Sequence, residues 1–219
     1  MYHSTSSRTA QTNAPIVFIV DDDSVLSGSV ASLLSSVGYN TKAFSGPEDM
    51  LAHPLAHKAG CLILDVRLQG YSGFDLQQRL AEADNRMPII FMTGHGDIPM
   101  SVRAMKAGAA DFLTKPFRSQ DLIDAVAVAV ASHSEFLEAQ REVDSLHRRF
   151  ECLTPREKQV MEGVVKGLLN KQIASQLEVS EITIKLHRAN MMRKLHARSI
   201  ADVVKAGLQL ELSKATVPI

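Results

Sequence analysis

Three carboxylates follow two short apolar runs in the first half of the chain. Asp21 and Asp22 come directly after one run, and Asp65 follows another. Carboxylates that share one pocket repel each other, and a divalent cation that prefers oxygen ligands, such as Mg²⁺, relieves that repulsion. A carboxylate can also act as a nucleophile toward phosphorus and form an aspartyl-phosphate. The three residues therefore predict a phosphoryl-transfer site, provided that the fold brings them together.

Two further polar residues end later apolar runs and suit the same chemistry. Phosphoryl transfer depends on charge neutralisation more than on covalent steps by the protein, and Lys115 can supply a second cation. Thr93 can donate a hydroxyl hydrogen bond to a phosphoryl oxygen. Because a single Asp after a strand is usually a helix cap or a turn residue, the prediction rests on the combination and its order.

The elements that must position these residues alternate between strand and helix. Helical patterns separate five predicted strands: Ile16–Val20, Thr41–Phe44, Cys61–Leu64, Pro88–Met92 and Asp111–Thr114. Runs that are apolar throughout are typical of parallel strands covered on both faces, so we predict an α/β fold with a doubly wound, five-stranded parallel sheet. Sites in such sheets form beyond the carboxyl ends of the strands, where the five polar residues would lie.

The second half contains only helix signals. Thr154-Pro155-Arg156-Glu157 is a capping box with proline at the first helical position. Asn170, Ser180 and Ser199 are predicted to cap three further helices, at about 171–177, 181–195 and 200–210. The short turn Glu178-Val179-Ser180 between two of them predicts a helix-turn-helix within an all-α domain.

A long helical pattern joins the two halves. It begins near Asp121, meets no proline or glycine until Pro155, and is rich in Glu, Arg and Gln beyond Ser132. We interpret it as a mostly exposed linker whose thin apolar stripe either pairs with a second chain or docks on the first domain; its residues are Phe136, Leu137, Val143 and Leu146. The predicted organisation is a disordered arm at 1–14, an α/β domain at 15–133, a helical linker at 134–152 and a helix-turn-helix domain at 153–219.

The net charge of zero conceals an asymmetry between the halves. Residues 1–133 carry 10 basic and 13 acidic side chains, whereas residues 134–219 carry 14 and 11, which favours a polyanionic partner for the second half. The chain has no run of about 18 apolar residues and no apolar signal segment, and Cys61 and Cys152 lack metal-ligand spacing. We therefore expect a cytoplasmic protein with no membrane partner.

Residues 16–130 resemble a response-regulator receiver domain of the CheY-like type. The resemblance lies in four segments: Ile19-Val20-Asp21-Asp22-Asp23, Leu64-Asp65-Val66-Arg67, Met92-Thr93-Gly94 and Thr114-Lys115-Pro116-Phe117. One departure is Gln69-Gly70, where the family usually has Pro-Gly, and this change could loosen the loop after Asp65 without removing a ligand.

The resemblance implies a role for each residue of the first site. Asp65 would be the phosphoacceptor, assisted by Lys115, and Thr93 and Phe112 would form the switch pair. Mg²⁺ would be held by the side chains of Asp22 and Asp65, by the backbone carbonyl of Arg67, and by Asp21 through a water molecule.

The predicted second helix of the helix-turn-helix carries cations for phosphates and base edges: Lys185, Arg188, Arg193 and Lys194. Residues 170–205 hold seven basic and three acidic side chains. We expect Ile182, Leu186 and Leu195 to face the core of this domain, although Leu186 could instead touch a thymine methyl group.

Residues Leu153–Leu208 resemble the helix-turn-helix of the LuxR/FixJ/NarL type. The matching segments are Thr154-Pro155-Arg156-Glu157, Asn170-Lys171-Gln172-Ile173-Ala174 and Thr183-Ile184-Lys185-Leu186-His187. The resemblance implies that base edges are met by Lys185, Leu186 and Ala189, and that the DNA backbone is held by Lys171, Thr183, His187 and Arg188. Because Ala189 cannot donate a hydrogen bond, much of the specificity would fall on Lys185, Arg188 and Asn190.

Together the two resemblances imply a two-component response regulator of the FixJ-like branch, and not an enzyme beyond self-phosphorylation and autodephosphorylation. A sensor histidine kinase would phosphorylate Asp65. The phosphoprotein would form a homodimer through the face of the fourth helix and fifth strand, and would bind double-stranded DNA at half-sites about 34–36 Å apart. RNA polymerase is a possible further partner.

Two other functions fit parts of the sequence. Asp21-Asp22-Asp23-Ser24-Val25 fits the Asp-x-Asp-x-Val pattern of haloacid-dehalogenase-type phosphatases, and sustained hydrolysis of a phosphomonoester that is lost on Asp21→Asn would favour that class. The C-terminal domain could instead bind protein or RNA, which salt-dependent binding of duplex DNA would decide.

Overall fold

The computed structural model describes residues 14–53, 58–94 and 98–215, and they form two compact units that divide between Leu137 and Glu138. The predicted N-terminal arm lies, except for Ala14, outside the described residues.

The first unit contains the α/β fold that the sequence predicts. Its elements in chain order are β1 (Ile16–Val20), α1 (Ser24–Ser36), β2 (Asn40–Phe44), α2 (Pro47–Leu51), β3 (Gly60–Asp65), β4 (Arg67–Leu68), β5 (Tyr71–Ser72), α3 (Gly73–Glu82), β6 (Ile89–Thr93), α4 (Ile98–Lys106), β7 (Asp111–Thr114) and the first part of α5 (Ser119–Glu151). The strands form a five-stranded parallel sheet in the order β2-β1-β3-β6-β7. The short helix α2 and the antiparallel β4–β5 hairpin are additions to the predicted elements.

Both faces of this sheet are covered, which explains why the central strands are apolar throughout. Alternate residues of one strand point to opposite faces. On one face, strand residues such as Phe18, Leu64 and Phe91 pack with residues of α2, α3 and α4. On the other face, residues such as Ile19 and Ile63 pack with α1 and α5.

The second unit is all-α and contains the predicted helices. It comprises the end of α5, then α6 (Pro155–Val165), α7 (Asn170–Leu177), α8 (Glu181–Leu195) and α9 (Ile200–Ala215). The capping box of Thr154 and Glu157 is present, and the Ser180 and Ser199 hydroxyl groups accept from backbone amides in the first turns of α8 and α9.

Two details of these helices differ from the prediction. Asn170 is not the cap of α7 but its first residue, and the Gln172 side chain accepts a hydrogen bond from the preceding Leu169 amide. Helix α9 continues to Ala215 instead of ending near Leu210, because no proline or glycine follows Gly207 within that stretch.

The apolar stripe predicted for the linker has a different role at Leu146. This side chain is buried in the core of the second unit, and Phe150 packs against the same cluster, which also contains Val160, Ile184 and Val203. Leu146 therefore belongs to the core of its own unit, a role that neither predicted alternative gave it. Among the described helices, none combines the length and the apolar character needed to cross a membrane.

Candidate functional site

The carboxylates of Asp21, Asp22 and Asp65 lie together at the carboxyl ends of the neighbouring strands β1 and β3. One oxygen from each residue can be chosen so that all three lie within 4.8 Å of one another. Asp21 and Asp65 are buried, whereas Asp22 is exposed. The site thus combines two enclosed carboxylates with one that faces solvent.

Lys115 extends from the end of β7 to both buried carboxylates. Its Nζ donates to Asp21 Oδ2 at 2.7 Å and to Asp65 Oδ2 at 2.6 Å. The other oxygen of each carboxylate accepts a backbone amide: Asp23 N lies 2.9 Å from Asp21 Oδ1, and Arg67 N lies 2.9 Å from Asp65 Oδ1. These bonds fix the orientation of both carboxylates, and charge-assisted bonds of this kind are stronger than neutral ones.

Burial and ion pairing have opposite effects on this cluster. Burial raises the pKa of the Asp21 carboxyl above its ordinary value, and the bonds from Lys115 and from the Asp23 amide reduce that rise without cancelling it. Burial acts to lower the pKa of Lys115, but its bonds to Asp21 and Asp65 outweigh this effect, so the pKa of Lys115 lies above its ordinary value. Lys115 therefore remains a cation.

The donor set of this cluster suits Mg²⁺. Hard oxygen ligands come from three carboxylates, and Lys115 offsets one of their three negative charges. The exposed position of Asp22 leaves room for the water molecules that Mg²⁺ retains in proteins. The acidic cluster is thus compatible with a magnesium ion.

Close packing of α3 defines the end of β3 at this site. Gly73 is the first residue of α3, and a Cβ atom built there would lie 2.4 Å from the backbone oxygen of Asp65. Only a residue without a side chain allows this approach. The segment between them, which contains Gln69-Gly70, forms the β4–β5 hairpin, and Gly70 adopts a positive φ of 78° at its turn.

Thr93 and Phe112 lie on the strands next to β3. Thr93 ends β6 and is fully buried, and its backbone oxygen accepts from Lys115 N at 2.7 Å. Phe112 is paired in register with Phe91 and packs, half-buried, against the core that includes Ala104 of α4. Because Thr93 and Phe91 are two residues apart, Thr93 and Phe112 belong to the same face of the sheet, which α4 covers.

The second candidate site is the exposed face of α8. Ile182, Lys185, Leu186, Ala189 and Arg193 are all exposed, and their spacing of three and four residues places them on one face of the helix. We call this set the α8 face. Three residues predicted to meet base edges, Lys185, Leu186 and Ala189, belong to it.

The predicted inward orientation of two residues on this helix is wrong. Ile182 is 78% exposed and Leu186 is 61% exposed, whereas Ile184 between them is fully buried. Ile184 shares its face with Met191 and Leu195, seven and eleven residues later, and all three pack in the core of the unit. This periodicity was the signal that could have identified the correct face.

The remaining residues predicted to contact DNA have different environments. Lys171, on α7, is exposed, and Thr183, His187, Arg188, Asn190 and Lys194 are half-buried. The Arg188 guanidinium donates to Asn170 Oδ1, and Lys194 Nζ donates to Glu157 Oε2 at 2.7 Å. These two cations therefore tie α8 to the helices α7 and α6.

Glu157 is a structural residue whose connection to α8 the sequence does not reveal. Burial acts to raise its pKa, but the bonds from Lys194 and Thr154 outweigh burial, so the pKa of Glu157 lies below its ordinary value. One carboxylate thus completes the capping box of α6 and holds Lys194 of α8.

Arg149 is a second residue of this kind. Its Nη1 donates to the backbone oxygen of Leu195 at 2.7 Å, and its Nε donates to Ser145 O at 3.2 Å. The last carbonyls of a helix have no intrahelical donor and carry partial negative charge. The Arg149 guanidinium, near the end of α5, therefore supplies a hydrogen-bond donor to the last carbonyl of α8.

Family models match both units of the chain. Residues 17–127 match the response regulator receiver domain, and residues 151–206 match the luxR family of bacterial regulatory proteins. The two matched segments contain the carboxylate site and the α8 face, respectively.

Similar proteins match nearly the whole chain. Nodulation protein W of Bradyrhizobium diazoefficiens is 49% identical over 198 residues, which cover 90% of this chain and 87% of that protein. The response regulator protein TodT of Pseudomonas putida is 42% identical over 90% of this chain and 87% of its own length. The transcriptional regulatory protein FixJ of Bradyrhizobium diazoefficiens is 36% identical over 88% of this chain and 94% of its own length.

Two solved structures of response regulators also match nearly the whole chain. The response regulator StyR is 43% identical, with a TM-score of 0.82 over 90% of this chain and 99% of that one. Full-length FixJ from B. japonicum is 35% identical, with a TM-score of 0.54 over 90% of this chain and 98% of that one.

Proposed function

The chain belongs to the response regulators that join a receiver domain to a LuxR-type DNA-binding domain, and we propose that phosphorylation of Asp65 controls its binding to operator DNA. These regulators are transcription factors and not enzymes, so the phosphatase alternative is set aside. The LuxR-type domain likewise identifies DNA as the partner of the second unit. Asp65 carries the proposal because its carboxylate is buried, oriented and paired with Lys115.

The phosphoryl donor is the phosphohistidine of a sensor histidine kinase. A carboxylate oxygen of Asp65 forms the O–P bond as the P–N bond breaks, and the electron pair of that bond returns to the kinase imidazole. Lys115 lies 2.6 Å from Asp65 Oδ2 and offsets the charge of the phosphoryl group. Asp21 is held by the same ammonium and stays beside the reacting carboxylate.

We propose Mg²⁺ as the cofactor of this step. Asp22 and Asp65 would hold it through their side chains, Arg67 through its backbone carbonyl and Asp21 through water. When bound, the ion neutralises charge on the phosphoryl oxygens and positions them.

The phosphoryl group acts on the DNA-binding function through Thr93 and Phe112. The Thr93 hydroxyl and Lys115 are drawn to the phosphoryl oxygens, and Phe112 moves into the space that Thr93 leaves. Both residues belong to the sheet face that α4 covers, which supports α4 as the element that changes.

The surface of α4 fits a homodimer interface. Ile98 is 80% exposed, and Val102 and Met105 are about half exposed, at spacings of four and three residues that place them on one helix face. Contiguous exposed apolar residues are typical of interaction sites. A dimer presents two α8 helices to half-sites one DNA turn apart.

On DNA, α8 is the recognition helix. Lys185, Leu186 and Ala189 lie on its exposed face and meet base edges, while Lys171, Thr183 and His187 hold the backbone. Arg188 has five donors and uses one on Asn170, so it can still reach a phosphate, and Asn190 adds to specificity. We assign Lys194 mainly to positioning, because Glu157 neutralises it.

The remaining partners follow from this role. A kinase-controlled transcription factor works in the cytoplasm, where chromosomal DNA and RNA polymerase are found, and we propose RNA polymerase as a partner of the DNA-bound dimer.

The test is to incubate the purified full chain with acetyl phosphate and Mg²⁺ and to measure its mass and its size, beside Asp65→Asn. We expect one phosphate adduct and a monomer-to-dimer shift in the wild type, and neither in the variant. An adduct of equal yield in Asp65→Asn would overturn the assignment of Asp65. An adduct without a size change would overturn the dimer and leave the phosphoacceptor in place.

A further inference from the structure

The α8 face contains an apolar residue to which neither the sequence nor the family resemblance gives a role on DNA. Ile182 is 78% exposed in the first turn of α8, and Leu186, one turn later on the same face, is 61% exposed. A single exposed isoleucine is ordinary, but two large apolar side chains at a spacing of four residues form one surface. That surface lies on the element that enters the major groove.

The polar side chains next to Ile182, those of Ser180 and Thr183, bond to each other at the start of the helix. Ser180 Oγ accepts from Thr183 N at 3.1 Å, and the two hydroxyl groups lie 2.8 Å apart. Thr183 is therefore half-buried in the cap, and Ile182 and Glu181 are the exposed side chains of the first turn. The exposed side chains of this turn are therefore one apolar and one acidic.

The Ile182 side chain cannot itself hold a phosphate, and its turn carries no cation beside it that could. Residues 178–184 contain Glu178 and Glu181 but neither lysine nor arginine. Phosphates are held by cations and by free amide donors, whereas base edges in the major groove include the thymine methyl group, which apolar side chains contact. The N-terminal residues of a recognition helix are also those that contact base edges.

We propose that Ile182 is a specificity-determining residue that selects thymine by contact with its methyl group. Ile182 and Leu186 are separated by about 6 Å along the helix axis, close to two base steps of 3.4 Å, so they contact different base pairs. The inference rests on the proposed operator binding and adds to it a second apolar contact, next to the cations of the same face.

The experiment uses the full chain treated with acetyl phosphate and Mg²⁺. Operators are selected from a randomised duplex pool with the wild type, with Ile182→Ser and with Ile200→Ser, which changes an exposed isoleucine on α9 as a control. We expect Ile182→Ser to lose a thymine preference at one position of each half-site, while Ile200→Ser keeps the wild-type sequence.

A methyl deletion in the DNA then tests the contact directly. Deoxyuridine replaces thymidine at that position, and the Kd of the wild type rises about fourfold, the effect expected for loss of one buried methyl group. The Kd of Ile182→Ser does not change with this replacement. Thermal unfolding of the variant matches the wild type, because Ile182 lies outside the core.

Two results would overturn the inference, and they have different meanings. In the first, the wild type binds selectively, but Ile182→Ser selects the same operator or both proteins respond equally to deoxyuridine. This result would refute the role of Ile182 and leave the proposed operator binding in place. Failure of the wild type to select any sequence would refute the proposed operator binding, and the role of Ile182 with it.

Discussion

The two candidate sites use burial in opposite ways. In the receiver unit, the groups that we propose for phosphoryl transfer are enclosed: Asp21 and Asp65 are buried, and Lys115 bonds to both. In the DNA-binding unit, the groups that we propose to contact DNA are the exposed ones of α8, while the half-buried cation Lys194 binds Glu157 and holds the helix in place. Burial of charge thus serves the proposed chemistry in the first unit and the structure of the helices in the second.

This difference follows from the partner that each unit meets. A phosphoryl group is small and can be surrounded by strand ends, where enclosed charges act on it strongly. A DNA duplex is large and can be approached only by a protruding surface, so its readers must be exposed. Four predictions test the comparison, from the largest expected effect to the smallest.

Removal of Mg²⁺ tests whether the receiver charges need a further cation. Chelation with EDTA should slow formation of the Asp65 adduct from acetyl phosphate by on the order of a thousandfold, because a bound divalent ion contributes several kcal/mol to charge stabilisation. Adduct formation is followed by mass spectrometry. An unchanged rate would mean that Lys115 alone neutralises the site.

Gly73→Ala tests the close packing behind Asp65. The new Cβ would lie 2.4 Å from the Asp65 carbonyl oxygen, so the end of β3 must shift, and we expect a loss of about 3 kcal/mol in the free energy of unfolding. Urea denaturation of the full chain measures it. Gly28→Ala is the matched control, since nothing lies within 4 Å of a Cβ there, and it should be neutral or stabilising. Equal stability of both variants would contradict this packing.

The strand ends were predictable from sequence, and this packing was not. Five predicted strands, each followed by a polar residue, place Asp21, Asp65, Thr93 and Lys115 at one edge of a parallel sheet by topology alone. Asp65 and Gly73 are only eight residues apart, but the approach of α3 depends on how the β4–β5 hairpin turns the chain back onto the end of β3, and residue patterns do not give that distance. Gly73 therefore gave no sign of its role.

Glu157→Ala tests whether the Glu157 carboxylate stabilises the DNA-binding unit. It leaves the Thr154 amide and Lys194 without their partner, and we expect a loss of about 2 kcal/mol in the free energy of unfolding. Because the pKa of Glu157 lies below its ordinary value of 4.5, its contribution is fully present above that pH and is lost as the pH falls through the lowered pKa.

The difference between wild type and Glu157→Ala should therefore shrink in acid, as measured by urea denaturation at several pH values. Glu162→Ala, at an exposed position of the same helix, is the control and should change little. A difference that is constant down to acid pH would show that the carboxylate charge has no structural role.

Lys185→Ala and Lys171→Ala separate a base reader from a phosphate contact. Lys185 lies on the α8 face, so its loss should cost about 1.5 kcal/mol in binding and relax the sequence preference at one position. Lys171→Ala should weaken binding to all sequences alike and reduce the salt slope by about one. Operator and scrambled duplexes titrated at several salt concentrations measure both. Uniform weakening by Lys185→Ala would make Lys185 a phosphate contact.

The orientation of α8 shows where sequence reasoning was insufficient. Residues 182, 184 and 186 are all apolar, so two faces of the helix are candidates for the core. Only Ile184 continues to apolar partners at Met191 and Leu195, whereas the face of Ile182 continues to Ala189 and Arg193. The apolar pattern over three helical turns therefore identifies the face of α8 that packs in the core, whereas the pattern over one turn does not. The Arg149 bond to Leu195 O requires tertiary structure and has no signal in the sequence.

We propose that the buried Asp65 carboxylate in one unit controls DNA binding by the exposed α8 face in the other. The most direct measurement is the Kd for a selected operator at fixed salt, with and without acetyl phosphate and Mg²⁺, for the wild type and Asp65→Asn. We predict that phosphorylation lowers the Kd of the wild type at least tenfold and leaves that of Asp65→Asn unchanged. An equal response of the two proteins, or no response of the wild type once it carries the phosphate adduct, would contradict the account.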